Sequence, residues 1–148
     1  MTEKISYLPS MGRLLHALSD AACALAEDYL RPYELSLAQW VVLSALWRQD
    51  GLSVSTLSEY SGKKTAALSR LLDRMESKGL VGRNTVEDDK RLVKIHLTPK
   101  GQELSHLIDM YQHVNGVLLS DFSEDEKKQL MPMLERMLKY ANKHAKKP

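Results

Sequence analysis

The sequence has 148 residues, 43% hydrophobic and 27% charged, which suits one folded domain better than two and excludes intrinsic disorder. A net charge of +2 neither announces nor forbids a polyanionic partner, and the single cysteine, Cys23, rules out an intrachain disulfide or a multi-cysteine zinc site. No apolar run approaches the roughly 20 residues needed to cross a bilayer, and Met1-Thr2-Glu3-Lys4 lacks the basic-then-apolar order of a signal peptide, so a cytoplasmic protein with no membrane partner is expected.

The first helix is predicted from about Ser10 to Leu30, with Met11, Leu14, Leu15, Leu18, Ala22, Leu25 and Tyr29 spaced by three and four. Cys23 lies within it among alanines and reads as a small buried residue. Pro32 stops this helix, because the residue before a proline is pushed out of the helical region. Ser36-Leu37-Ala38-Gln39 is a capping box opening a second helix that turns Trp40, Leu43 and Trp47 inward and closes by Gly51. Ser53 caps a short third helix with Leu57 and Tyr60 as its apolar contacts, and Ser61-Gly62 supplies the turn after it.

The fourth helix begins near Thr65. Leu68, Leu71, Leu72 and Met75 form its buried stripe, and Gly79 is placed as the left-handed residue that ends it. Periodicity then switches from helical to alternating at Val93, Ile95 and Leu97, the mark of a strand that Leu80 to Thr85 can pair with. The polar tip between them, Val86-Glu87-Asp88-Asp89-Lys90-Arg91, makes the hairpin a wing. Thr98 caps and Pro99 opens a long fifth helix lined by Leu104, Leu107, Ile108, Tyr111, Val114 and Leu118. Ser123-Glu124-Asp125-Glu126 is a second capping box, and the sixth helix it opens runs through Leu130, Leu134, Met137, Leu138 and Ala141 into a basic tail.

Charge is not spread evenly. Residues 1 to 52 carry net −2, residues 53 to 98 net +3 and residues 99 to 148 net +1, so positive charge gathers in the middle. Opposite the buried stripe, the fourth helix shows Thr65, Ala66, Ser69, Arg70, Asp73, Arg74 and Ser77. Short side chains permit close approach to a major groove, and arginine can bond the edges of guanine. Upstream, the helix capped by Ser53 offers amides to a phosphate, and downstream Lys90 and Arg91 tip a hairpin able to reach the adjacent minor groove. Together these elements read as a winged helix-turn-helix that binds double-stranded DNA. The alternative is a winged helix used only for protein contact or dimerisation.

No enzyme is legible. Gly62-Lys63-Lys64-Thr65 lacks the earlier glycine and preceding strand of a phosphate-binding loop, no dinucleotide-binding glycine turn is present, and no histidine stands in a nucleophile motif. His106, Asp109 and His113 share one helical stripe, but imidazoles two turns apart lie about 10 Å from each other along the axis, too far to hold one ion. Neither metal nor cofactor is expected.

Three passages resemble the MarR family of bacterial regulators, and the resemblance covers nearly the whole chain. They are Leu68-Ser69-Arg70-Leu71-Leu72-Asp73-Arg74-Met75-Glu76-Ser77-Lys78-Gly79-Leu80-Val81, similar to the recognition helix and its exit; Asp89-Lys90-Arg91, similar to the wing signature; and Leu97-Thr98-Pro99-Lys100-Gly101, leading into the fifth helix. The resemblance implies a mainly α fold of six helices with a small β-hairpin wing, in a single domain. Residues 36–98 would be the DNA-binding lobe, and residues 1–35 and 99–148 the helices of a homodimer.

It implies further that Ser69 and Arg70 contact DNA, that Arg91 enters the minor groove and that Asp89 holds the wing by pairing with Arg74. A two-fold dimer calls for a roughly palindromic operator with half-sites about 10 bp apart. The family's pocket for a small aromatic or phenolic effector would draw on His16, Trp40, Leu43, Trp47 and Tyr111, making the chain a repressor released by its effector. The pattern is broken at Lys63-Lys64, where relatives commonly carry an apolar residue and a small cap. Thr65 is expected to cap one residue later, leaving the two lysines for phosphate contact.

Overall fold

Ser10 starts the first helix as expected, its hydroxyl accepting from the Arg13 amide. The structure, a computed structural model, describes residues 10–86 and 89–145, with side chains outside the description at residues 86 and 89–91. Its helices are α1 (Met11–Leu30), α2 (Leu37–Arg48), α3 (Val54–Ser61), α4 (Thr65–Ser77), α5 (Pro99–Glu103), α6 (Met110–Leu118) and α7 (Glu124–His144). Its strands are β1 (Leu52–Ser53), β2 (Val81–Val86) and β3 (Asp89–Leu97), and short 3-10 turns cover Arg31–Tyr33 and Leu104–Asp109. The chain divides into two compact units, Met1–Tyr111 and Gln112–Pro148, the boundary falling inside α6.

In the first unit α2, α3 and α4 enclose the core. Leu43, Leu46, Leu57, Leu68, Leu72 and Met75 are fully buried, joined by Ile95 from the sheet and by Leu30 and Leu107. Each such side chain contributes on the order of 1.5–3 kcal/mol against exposure. The sheet is antiparallel in the order β1-β3-β2: Arg83 lies opposite Ile95, Thr85 opposite Val93, and the register slips between Thr85 and Val86. β1 escaped the sequence reading because two residues are too few to show alternation. It pairs Leu52 with Ile95 and Ser53 with Lys94.

The predicted fifth helix is not uniform in winding, since its middle, Leu104–Asp109, tightens to three residues per turn. The inward positions explain this: Gly101, Leu107 and Met110 are buried and Leu104 half-buried, and a spacing of three keeps all four on one face only in a 3-10 coil. The apolar positions of the sequence, Leu104, Leu107, Ile108, Tyr111, Val114 and Leu118, mix spacings of three and four and so read as α-helix throughout. At the start of this segment the Thr98 hydroxyl accepts from the Gly101 amide and donates to the Gly79 carbonyl, while its own amide donates to Leu80 O at 3.1 Å.

Two other expectations are corrected. Cys23 is exposed, because the covered face of α1 runs through Ala22, Leu25, Ala26, Tyr29 and Leu30 and leaves Cys23 off it. Tyr60 is half exposed rather than a core contact, its hydroxyl lying 3.2 Å from Ser44 Oγ and accepting from Arg48 Nη1 at 3.3 Å.

Candidate nucleic-acid interface

The helix-turn-helix is built by local chemistry. Ser53 caps α3, its Oγ accepting from the Thr56 amide at 3.1 Å and meeting the Thr56 hydroxyl at 2.9 Å. Gly62 ends α3 in the left-handed region at φ 69°, where a side chain would be strained. The turn is then fixed by Ser58 Oγ donating to Lys63 O at 2.6 Å and by Ser61 Oγ accepting from the Lys63 amide at 3.3 Å.

At the start of α4 the expectation changes. Thr65 is the first helical residue and Lys64 the N-cap, with no side chain capping the end. Lysine has no acceptor, so it cannot do what serine does for α2, α3 and α7. The first turn of α4 thus has no side-chain cap and follows two lysines, Lys63 half-buried and Lys64 exposed, a combination of helix dipole and positive charge suited to a phosphate oxygen.

From there Thr65, Ala66, Ser69, Arg70, Asp73, Arg74 and Ser77 are all exposed, while Leu68, Leu71, Leu72 and Met75 are buried beneath them. The reading face deduced from sequence is thus one continuous surface. Its far end is closed by Gly79 and Leu80, whose amides return to Glu76 O and Met75 O in the Schellman pattern.

The wing root is held by a residue the sequence did not single out. Arg83 of β2 places Nη1 2.7 Å from Asp73 Oδ1 and 3.3 Å from Glu76 Oε2, and its Nη2 donates to Ser69 O at 3.4 Å. Asp73 and Glu76 were a usable signal, since carboxylates on a DNA-reading helix need a cation to answer them. Asp89, Lys90 and Arg91 lie on β3 by backbone, but their side chains fall outside the described residues, and so does the anticipated pairing of Asp89 with Arg74.

None of the cavities described is lined by the five residues expected around an effector. Leu43 is fully buried, Trp40 Nε1 donates to Leu107 O at 2.7 Å and Trp47 Nε1 to Gly101 O at 2.9 Å, so the two indoles fasten α2 to the segment after the wing. His16 stands exposed beside Asp20 on α1, and Tyr111 is exposed. A cavity of about 210 Å³ lies elsewhere, lined in part by Tyr33, Leu35, Lys78, Leu80 and Lys100. Among the described residues no group of side chains is placed to hold a metal ion, and no helix is long and apolar enough to cross a membrane.

A short positioning helix, an amphipathic helix with a polar open face and a three-stranded sheet ending in a hairpin define the winged helix-turn-helix class. Residues 35–93 match the model of the MarR family. The chain is 34% identical over 128 residues to the HTH-type transcriptional regulator TtmR of Methylorubrum extorquens, matching 84% of this chain but only 65% of that longer protein. It is 30% identical to a mutant MarR from E. coli complexed with operator DNA, with TM-score 0.77, covering 86% of this chain and 93% of that one. It is 25% identical to S. aureus MepR in a DNA complex, with TM-score 0.82 and coverage of 90% and 99%. The chain belongs to the MarR family of transcriptional regulators.

Proposed function

We propose that this protein is a sequence-specific, DNA-binding transcriptional regulator that works as a cytoplasmic homodimer and catalyses no reaction. The observation that carries the proposal is the uncapped, lysine-flanked start of α4, opening onto an exposed face of Thr65, Ala66, Ser69, Arg70 and Arg74 beside the wing. Solved DNA complexes of two relatives, MarR and MepR, support it. Ser53, Lys63, Lys64 and the α4 amides grip phosphates and set the register. Ser69, Arg70 and Arg74 read base edges in the major groove, and Lys90 and Arg91 carry the wing into the minor groove, with Asp89 steadying its tip. Residues 36–98 form the DNA lobe, and residues 1–35 and 99–148 the dimerisation helices.

Repression is relieved when a small aromatic or phenolic effector binds the conformer with misplaced lobes and shifts the population away from the operator-competent form. His16, Trp40, Leu43, Trp47 and Tyr111 are its candidate contacts.

Selection of duplexes from a random library by the full chain tests this reading. Selected sites should converge on an inverted repeat with half-sites about 10 bp apart, and Arg91→Ala should weaken binding at least several-fold with the dimer intact. A folded protein that enriches no sequence, at low salt and against competitor DNA, overturns the assignment. Adding a phenolic acid to the bound complex tests the effector, and an unchanged complex removes that half of the proposal.

A further inference from the structure

Arg83 is the one residue, among those described, whose ion pairs tie the sheet to the reading helix. Its position in the sheet gives that tie a purpose. β1 pairs only with Lys94 and Ile95 of β3, opposite Asn84 and Arg83 of β2, so beyond this row the hairpin is two-stranded and unsupported. From Arg83 to Val86 the arm extends roughly 10 Å at about 3.3 Å per residue. A rotation of about 15° at its root therefore moves Val86 by roughly 2.5 Å. The guanidinium belongs to the supported row next to the last, one residue before the hairpin becomes two-stranded, and spans Ser69 to Glu76, two turns of α4, through two carboxylates and a carbonyl.

Ion pairs this exposed contribute little to stability, since Asp73 and Glu76 keep about half of their side-chain surface in water. What a fork with three anchors does supply is a fixed angle. We infer that Arg83 is a positioning residue for DNA recognition: it sets the angle at which the wing leaves the reading helix, so that both reach the same duplex. This rests on the proposed use of the wing in the minor groove. Arg83 itself touches no DNA.

Competition binding and footprinting of Arg83→Gln, Arg83→Lys and Arg91→Ala, alone and combined, on a duplex selected by the wild-type chain test the inference. Arg83→Gln should bind about tenfold more weakly. It should lose hydroxyl-radical protection in the minor grooves flanking the site, yet keep protection of guanine N7 in the major groove. A variant that is merely less folded loses both together. Arg83→Lys, which can answer one carboxylate but cannot fork, should fall between, and Arg83→Gln should cost nothing further in the Arg91→Ala background.

Flank protection retained by Arg83→Gln overturns the inference, as do losses that multiply in the double variant. Recovery of wild-type affinity on adding Asp73→Asn to Arg83→Gln also overturns it, because Arg83 would then act by cancelling charge. Absence of flank protection by the wild-type chain overturns the wing reading itself.

Discussion

Gly101 shows how one absent side chain fixes the joint below the wing. A Cβ built there would lie 2.2 Å from the Leu80 carbonyl oxygen, and that oxygen cannot withdraw because it already accepts the Thr98 amide. The carbonyl of Gly101 is committed as well, to the indole of Trp47. A methyl group must therefore push β2 away from the start of α5 or break both bonds. Gly101→Ala is expected to lower stability by about 1–3 kcal/mol, the usual range for overpacking a tight site, and an unchanged urea midpoint would show that the backbone yields freely. Asp50 makes a comparable tie by composition instead of absence, its carboxylate accepting the amides of Gly51 and Leu97 and so fastening the end of α2 to β3. Neither role can be read from the sequence, because each depends on a backbone atom that arrives from 20 or more residues away.

Among the elements α4 carries the sharpest conflict between stability and use. Serine hydroxyls cap α1, α2, α3 and α7, but the reading helix starts with a lysine that can accept nothing. Lys64→Asn supplies the missing acceptor and should stabilise the protein by about 1 kcal/mol. It also removes a phosphate contact, so DNA affinity should fall and the slope of log affinity against log salt should drop by about 0.9. Thermal unfolding and a salt series check the two signs. A variant that gains stability with its salt slope intact would take Lys64 out of the interface. What the sequence disclosed follows the same division. The serine and threonine caps other than that expected at Thr65, the Gly62 turn, the buried stripe of α4 and the alternation of β3 are short-range patterns, and these were legible. β1, the 3-10 winding at Leu104–Asp109 and the Arg83 clamp depend on partners distant in sequence or, for the winding, on a segment whose apolar spacing reads as α-helix throughout.

At the scale of the whole molecule, the apolar periodicity of the terminal helices is only partly matched by burial. On α1, Met11 and Leu14 are more than 60% exposed and Leu15 and Leu18 more than 40%. α7 half-buries Leu130, Leu134 and Met137 but fully buries no residue, leaving Met131, Met133, Leu138 and Tyr140 open although its capping box and acidic first turn are those of a well-formed helix. Single exposed apolar residues are ordinary, but a run at helical spacing on α1 together with four open apolar side chains on two sides of α7 is not, and a folded chain covers such surface with protein. The occupant consistent with the proposed function is a second copy, since two reading helices are what an inverted repeat demands. Folding of each chain is then coupled to association, and the melting temperature depends on concentration. Between low and high micromolar protein Tm should rise by several degrees, while Leu138→Glu should abolish that rise, lower Tm and shift the sedimenting species to a monomer. A concentration-independent Tm in the wild type, with a monomer in sedimentation, would leave this surface for another partner and remove the two-fold symmetry on which the palindromic operator depends.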